Sequence, residues 1–111
     1  MKYVHAEYVP VFKALFDETR LKIIEMLSCG EMCAYDILEF FHITQPTLSY
    51  HMKVLTESGL IDGRRDGAWM KYRINLERVS SVKDFLDCIT TEQETCICKG
   101  IAEMKKCEQP G

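Results

Sequence analysis

Six cysteines stand in a chain of 111 residues, at Cys29, Cys33, Cys88, Cys96, Cys98 and Cys107. Thiolates are soft ligands and good nucleophiles, so the chemistry open to them is coordination of thiophilic ions or redox exchange. The stretch Met1 to Val11 carries His5 and Glu7 and lacks the apolar core of a secretory leader. No apolar run approaches the roughly 18–20 residues of a membrane span. The chain is therefore read as cytoplasmic, a reducing setting in which thiols serve metal binding or redox chemistry more readily than a disulfide frame. A second group with chemistry is polar: Gln45, Thr47, Ser49, Tyr50, His51 and Lys53. Gln can pair with an adenine edge through two hydrogen bonds, Ser and Thr bond base edges or phosphates, and Lys suits phosphate. Arg64, Arg65 and Lys71 follow within twenty residues. Neither a Cys-x-x-Cys pair nor a Ser/His/Asp set is present, so the expectation is a binding protein and not an enzyme.

The elements that must position these residues are helical, with one hairpin. A first helix is expected at about 6–16, with Val9, Phe12, Leu15 and Phe16 on its apolar stripe and Pro10 near its first turn. Asp17 caps a second at about 18–28, where Leu21, Ile24 and Leu27 face one way and Gly30 ends the element. A third, at about 33–40, carries Ala34, Ile37, Leu38 and Phe41. Thr44 and Pro46 open a fourth, with Leu48, Met52 and Leu55 inward and Gln45, Ser49, Lys53 and Thr56 on the opposite side; Gly59 stops it. Leu60 to Arg64 reads as a strand, Arg65-Asp66-Gly67 as a hairpin turn, and Ala68 to Ile74 as the returning strand. A fifth helix at about 76–91 bears Val79, Val82, Phe85, Leu86 and Ile89, a stripe too apolar for a solvated helix. Residues 1–92 thus make one DNA-binding and dimerisation domain, and 93–111 a cysteine-bearing, mobile tail.

Two short helices, the second with a polar outer face, followed by a basic hairpin, make a winged helix-turn-helix that is mainly α with a β-hairpin. Net charge is −3, yet residues 42–78 hold six basic side chains against four acidic ones, a local +2 that leaves −5 for the rest. A basic face on an acidic body suits contact with a defined duplex site better than indiscriminate coating. The expected contacts are Gln45, Thr47, Ser49, Tyr50, His51 and Lys53 in the major groove, with Arg64, Arg65 and Lys71 of the wing on the flanking backbone.

Three further strings give the sequence a resemblance: Asp17-Glu-Thr-Arg-Leu-Lys-Ile, Gly30-Glu-Met-Cys-Ala-Tyr-Asp-Ile-Leu and Gln45-Pro-Thr-Leu-Ser-Tyr-His-Met-Lys-Val-Leu. With Gly59-Leu-Ile, Arg64-Arg-Asp-Gly and Trp69 to Tyr72, they resemble the ArsR/SmtB family of metal-responsive repressors over about residues 8–90. The resemblance implies a homodimeric repressor, paired through its first and fifth helices, that leaves operator DNA on binding a metal or metalloid. Here the pairing residues would be Phe12, Val82, Phe85, Leu86 and Ile89. Two recognition helices held together read half-sites about 34 Å apart.

Arsenite-responsive members of that family carry Cys-x-Cys-Asp at the start of the third helix, whereas this chain has Cys33-Ala34-Tyr35-Asp36. The second sulfur is replaced by a phenol, a poor ligand for a soft ion. Cys96-Ile97-Cys98 offers two more thiols, so the expected metal site is Cys33, Cys96 and Cys98, within one chain or across a pair, holding As(III) or Sb(III) as inducer. Cys29 and Cys88 read as packing residues and Cys107 as a solvated thiol. The fifth helix has Asp84 and Asp87 but no His, which argues against a zinc or nickel site there. A thiol-based redox or persulfide sensor, or a Cd/Pb sensor, on the same scaffold is the alternative.

Overall fold

Asp17, Thr44 and Asn75 each stand where a side-chain oxygen can satisfy an amide at the start of a helix, and all three do so. Asp17 accepts from the Arg20 amide at 3.1 Å, Thr44 from Thr47 at 3.3 Å and Asn75 from Arg78 at 3.1 Å. The computed structural model describes residues 4–91. In order it contains α1 (His5–Leu15), α2 (Glu18–Leu27), β1 (Met32–Cys33), α3 (Ala34–Phe40), α4 (Gln45–Glu57), β2 (Ile61–Asp66), β3 (Trp69–Ile74) and α5 (Leu76–Thr90). This is the mainly α winged helix-turn-helix expected, with one addition. β1 pairs antiparallel with β3, giving a three-stranded sheet in the order β1-β3-β2. Cys33 is extended and faces Lys71 across that pairing, so α3 starts at Ala34 and not at Cys33.

The hairpin turn is also displaced. Asp66 pairs with Trp69, leaving Gly67 and Ala68 as a two-residue connection in which Gly67 takes a positive φ of 65°. Only a residue without Cβ adopts that conformation freely. Arg65 and Asp66 therefore belong to the strand and not to the turn.

Burial corrects two helical stripes. On α1 the inward residues are Tyr8, Val11 and Ala14, with Phe12 and Leu15 half-buried; Val9 is exposed and Phe16, at the C-cap, is 90% exposed. The helix begins one residue earlier than its pattern implied, which places Pro10 inside it and not in its first turn. Proline there removes the amide that would bond the Ala6 carbonyl, and Ala6 is exposed, so water can serve that oxygen. On α2 the inward pair is Ile23 and Leu27, Ile24 is half-buried and Leu21 is exposed. Cys29, expected to fill a gap, is exposed beyond the end of α2.

The core gathers these residues with Ile37 of α3, Leu48, Met52 and Leu55 of α4, Leu60, Ile61, and Val82 and Phe85 of α5. α5 closes against α1 through aromatic contact. The Tyr8 and Phe85 rings stack with centroids 4.2 Å apart, and the Tyr8 and Ser81 hydroxyls share a 2.6 Å hydrogen bond. Among the described residues, no helix is long and apolar enough to cross a membrane.

Candidate nucleic-acid interface

Core packing of α4 decides which of its side chains can meet a ligand. Leu48, Met52 and Leu55 hold one side against the globule, and Gln45, Thr47, Ser49, Tyr50 and Lys53 are exposed. Thr44 caps the first turn, and its hydroxyl also donates to Thr47 Oγ1 at 2.9 Å. Lys53 stands 4.0 Å from Glu57, with both side chains mostly in water, so the pairing leaves the ammonium available.

His51 differs from the others. It is half-buried, and its Nδ1 lies 3.0 Å from Nη1 of Arg20. That guanidinium also donates from Nε to the Ala14 carbonyl at 2.6 Å and from Nη2 to the Lys13 carbonyl at 3.4 Å. These carbonyls end α1, where the helix dipole is negative, and the Lys13 oxygen also accepts from the Phe16 amide at 3.2 Å. Burial pushes the Asp17 carboxyl up, but the Arg20 amide, the Arg20 guanidinium and His51 outweigh it, and the group stays below its ordinary range. Residue patterns marked Asp17 as a cap; nothing in them marked Arg20 as a bridge from α2 to α4.

The wing is basic in composition but largely matched in space. Arg64 makes a two-pronged contact with Glu31, at 2.9 Å from Nε and 2.8 Å from Nη2. This hydrogen-bonded pairing holds the Glu31 carboxyl below its usual range. Lys71 lies 3.0 Å from Asp66, and Arg73 4.0 Å from Asp62. Register puts Arg64, Lys71 and Cys33 on one face of the sheet and turns Arg65 to the other with Gly63, Met70 and Tyr72. Arg65 is exposed and has no ion-pair partner among the described residues.

Cys33 is half-buried where β1 meets α3. Tyr35, in the place of a second sulfur, is exposed and sets its ring edge-on to Trp69 at 5.9 Å, tying α3 to the wing. Cys96 and Cys98 lie outside the described residues. Among those described, no group of three His, Cys, Asp or Glu side chains is placed to hold a metal ion. Of the residues expected to pair two copies, Val82 and Phe85 are covered by the chain's own core and Phe12 is half-buried. Leu86 and Ile89 remain 41% and 44% exposed on α5, as does Val9 on α1 at 47%.

Residues 17–62, from the α2 cap to the start of the wing, match the arsR family of bacterial regulatory proteins. Over 97 residues the chain is 41% identical to an arsenical resistance operon repressor of Staphylococcus xylosus, covering 87% of this chain and 93% of that one. The chain belongs to the ArsR family of transcriptional regulators. An arsenical resistance operon repressor of Staphylococcus aureus is 40% identical over the same 87% of this chain and 93% of its own. An ArsR-like transcriptional regulator from Rhodococcus sp. RHA1 superposes with a TM-score of 0.74 at 24% identity, over 92% of this chain and 90% of the other, a likeness of fold. The ArsR match spans α2 to α4 and contains all three strings, beginning at Asp17, Gly30 and Gln45, that carry the resemblance.

Proposed function

We propose that this ArsR-family regulator is a homodimeric repressor that grips operator duplex through α4 and the wing and lets go when a thiophilic metalloid, As(III) or Sb(III), binds its thiolates. The observation that carries the DNA half is the outward face of α4, where Gln45, Thr47, Ser49, Tyr50 and Lys53 stand exposed beyond a capped helix start. A helix of 13 residues is about 20 Å long and fits a major groove. Arg65 supplies a wing contact to phosphate, with Arg64 and Lys71 behind it. Two copies joined through the open edge of α1 and α5, at Val9, Leu86 and Ile89 beside Phe12, Val82 and Phe85, present two such helices to successive turns.

The inducer half rests on Cys33 and on kinship with arsenical resistance repressors. Cys33 sits on β1, which is hydrogen-bonded to the wing strand β3, so a pull on its sulfur acts on the wing directly. Cys96 and Cys98 complete the proposed trio. A gel shift on operator DNA, with and without arsenite, antimonite, cadmium, lead and peroxide, tests duplex binding and inducer class together. Cys33→Ser, or a joint Cys96/Cys98 change to Ser, is expected to keep operator binding and lose release by arsenite. A protein with all three replaced that still leaves DNA on arsenite ends the thiolate assignment, and release by peroxide alone replaces the metalloid with an oxidant.

A further inference from the structure

We infer that Arg20 is a positioning residue for DNA binding: it fixes His51 in one tautomer, so that Nε2–H is presented as a donor to a backbone phosphate of the duplex. The inference rests on the proposed duplex contact of α4 and adds to it a residue from outside the helix-turn-helix. A guanidinium has five donors and no acceptor. Its 3.0 Å contact with His51 Nδ1 therefore requires that nitrogen to accept, and the ring proton must sit on Nε2. Nε2 has no partner among the described residues, and no buried side-chain nitrogen there is left unbonded, so Nε2 reaches solvent.

Arg20 is built as a strut. Its side chain is only 11% exposed, held by the Ala14 and Lys13 carbonyls on one side, with the Asp17 carboxylate 4.0 Å away. His51 lies one turn after exposed Thr47 on the same flank of α4. Side chains on a helix lean toward its amino end, so the ring reaches toward the turn that faces the groove. Tyr50, with its ring centroid 5.7 Å from that of His51, borders the donor. The result is an N–H aimed outward, rigid because three elements share the guanidinium that orients it.

Nitrogen-detected NMR of the unliganded protein reads the tautomer directly, and Nε2–H is the expected form; Arg20→Met should return a mixture of the two forms. His51→Asn keeps an acceptor near the Nδ1 position and removes the far donor. Its operator affinity should fall about tenfold, the scale of one hydrogen bond to a charged group. Replacing one phosphate of each half-site in turn by a neutral methylphosphonate should reveal a position at which the unsubstituted protein and His51→Asn bind alike. His51→Gln, which restores a donor near Nε2, should regain part of the loss. The Arg20→Met and His51→Asn losses should not multiply when combined. Thermal melts of each variant separate a folding defect from a lost contact. An Nδ1–H ring, or His51→Asn binding as tightly as the unsubstituted protein, overturns the inference and leaves the duplex reading intact. Absence of any salt-sensitive grip on duplex by the unsubstituted protein overturns both.

Discussion

At the residue scale, partnership decides which cations can meet phosphate. Composition placed Arg64, Arg65 and Lys71 together as wing contacts, yet Arg64 is bonded twice to Glu31 and Lys71 once to Asp66. Arg65, exposed on the opposite face, has no such partner among the described residues. Each phosphate neutralised by a cation contributes about 0.9 to the slope of log affinity against log salt. Arg65→Ala should therefore flatten that slope by about 0.9 per protomer, with little change in thermal stability for a solvated side chain. A titration of operator binding between 50 and 200 mM salt, about the range in which such slopes show, checks it. An unchanged slope would place the wing tip off the backbone.

At the element scale, caps were the most legible feature of the sequence. Asp17 and Thr44 occupy the N-caps their residue types indicated, Asn75 caps α5 without having been marked, and the α4 stripe of Leu48, Met52 and Leu55 is buried as its spacing required. Thr44→Ala should cost about 1 kcal/mol and lower the melting temperature by about 4–8 °C for a domain of this size, while also loosening the helix start that carries Gln45 and Thr47. Asp17 adds a pH dependence. Its folded-state value lies below the ordinary one, so the stability it supplies is complete above the unfolded carboxylate range near about 4 and is lost as pH falls through the folded value. Asp17→Asn should flatten the acid limb of a melting-temperature profile and leave the neutral region's shape unchanged. What the sequence concealed has physical reasons. β1 is two residues long, too short for any alternation to show, and it exists because β3 has a free edge beside it. The α1 and α2 stripes each contain more apolar residues than one face can bury, so spacing alone could not tell Val9 and Leu21 from Tyr8 and Ile23. The Arg20–His51 contact joins residues 31 apart in sequence, and no local pattern carries it.

At the scale of the whole molecule, the question is how an acidic chain with a net charge of −3 holds a polyanion. The excess of +2 over residues 42–78 already counts Asp66 and Asp62, which stand beside Lys71 and Arg73, and it still overstates the field offered to DNA, because Arg64 is paired with Glu31 from outside that stretch. Lys53 and Arg65 are the cations best placed to reach phosphate, and two copies of each predict a modest salt slope of about −4. If α4 enters the major groove as proposed, base-edge contacts must supply more of the binding than charge does, and discrimination against random duplex should follow. Glu31 keeps that balance. Glu31→Gln leaves Arg64 a charge without its carboxylate, so the slope should steepen by about 0.9 per protomer and affinity for random duplex should rise more than affinity for operator. The melting temperature should scarcely move, since the pair is at the surface. Paired salt titrations on operator and scrambled duplex measure both quantities; equal slopes for Glu31→Gln and the unsubstituted protein would mean that Arg64 is held away from the backbone by the sheet itself, with or without its acidic partner.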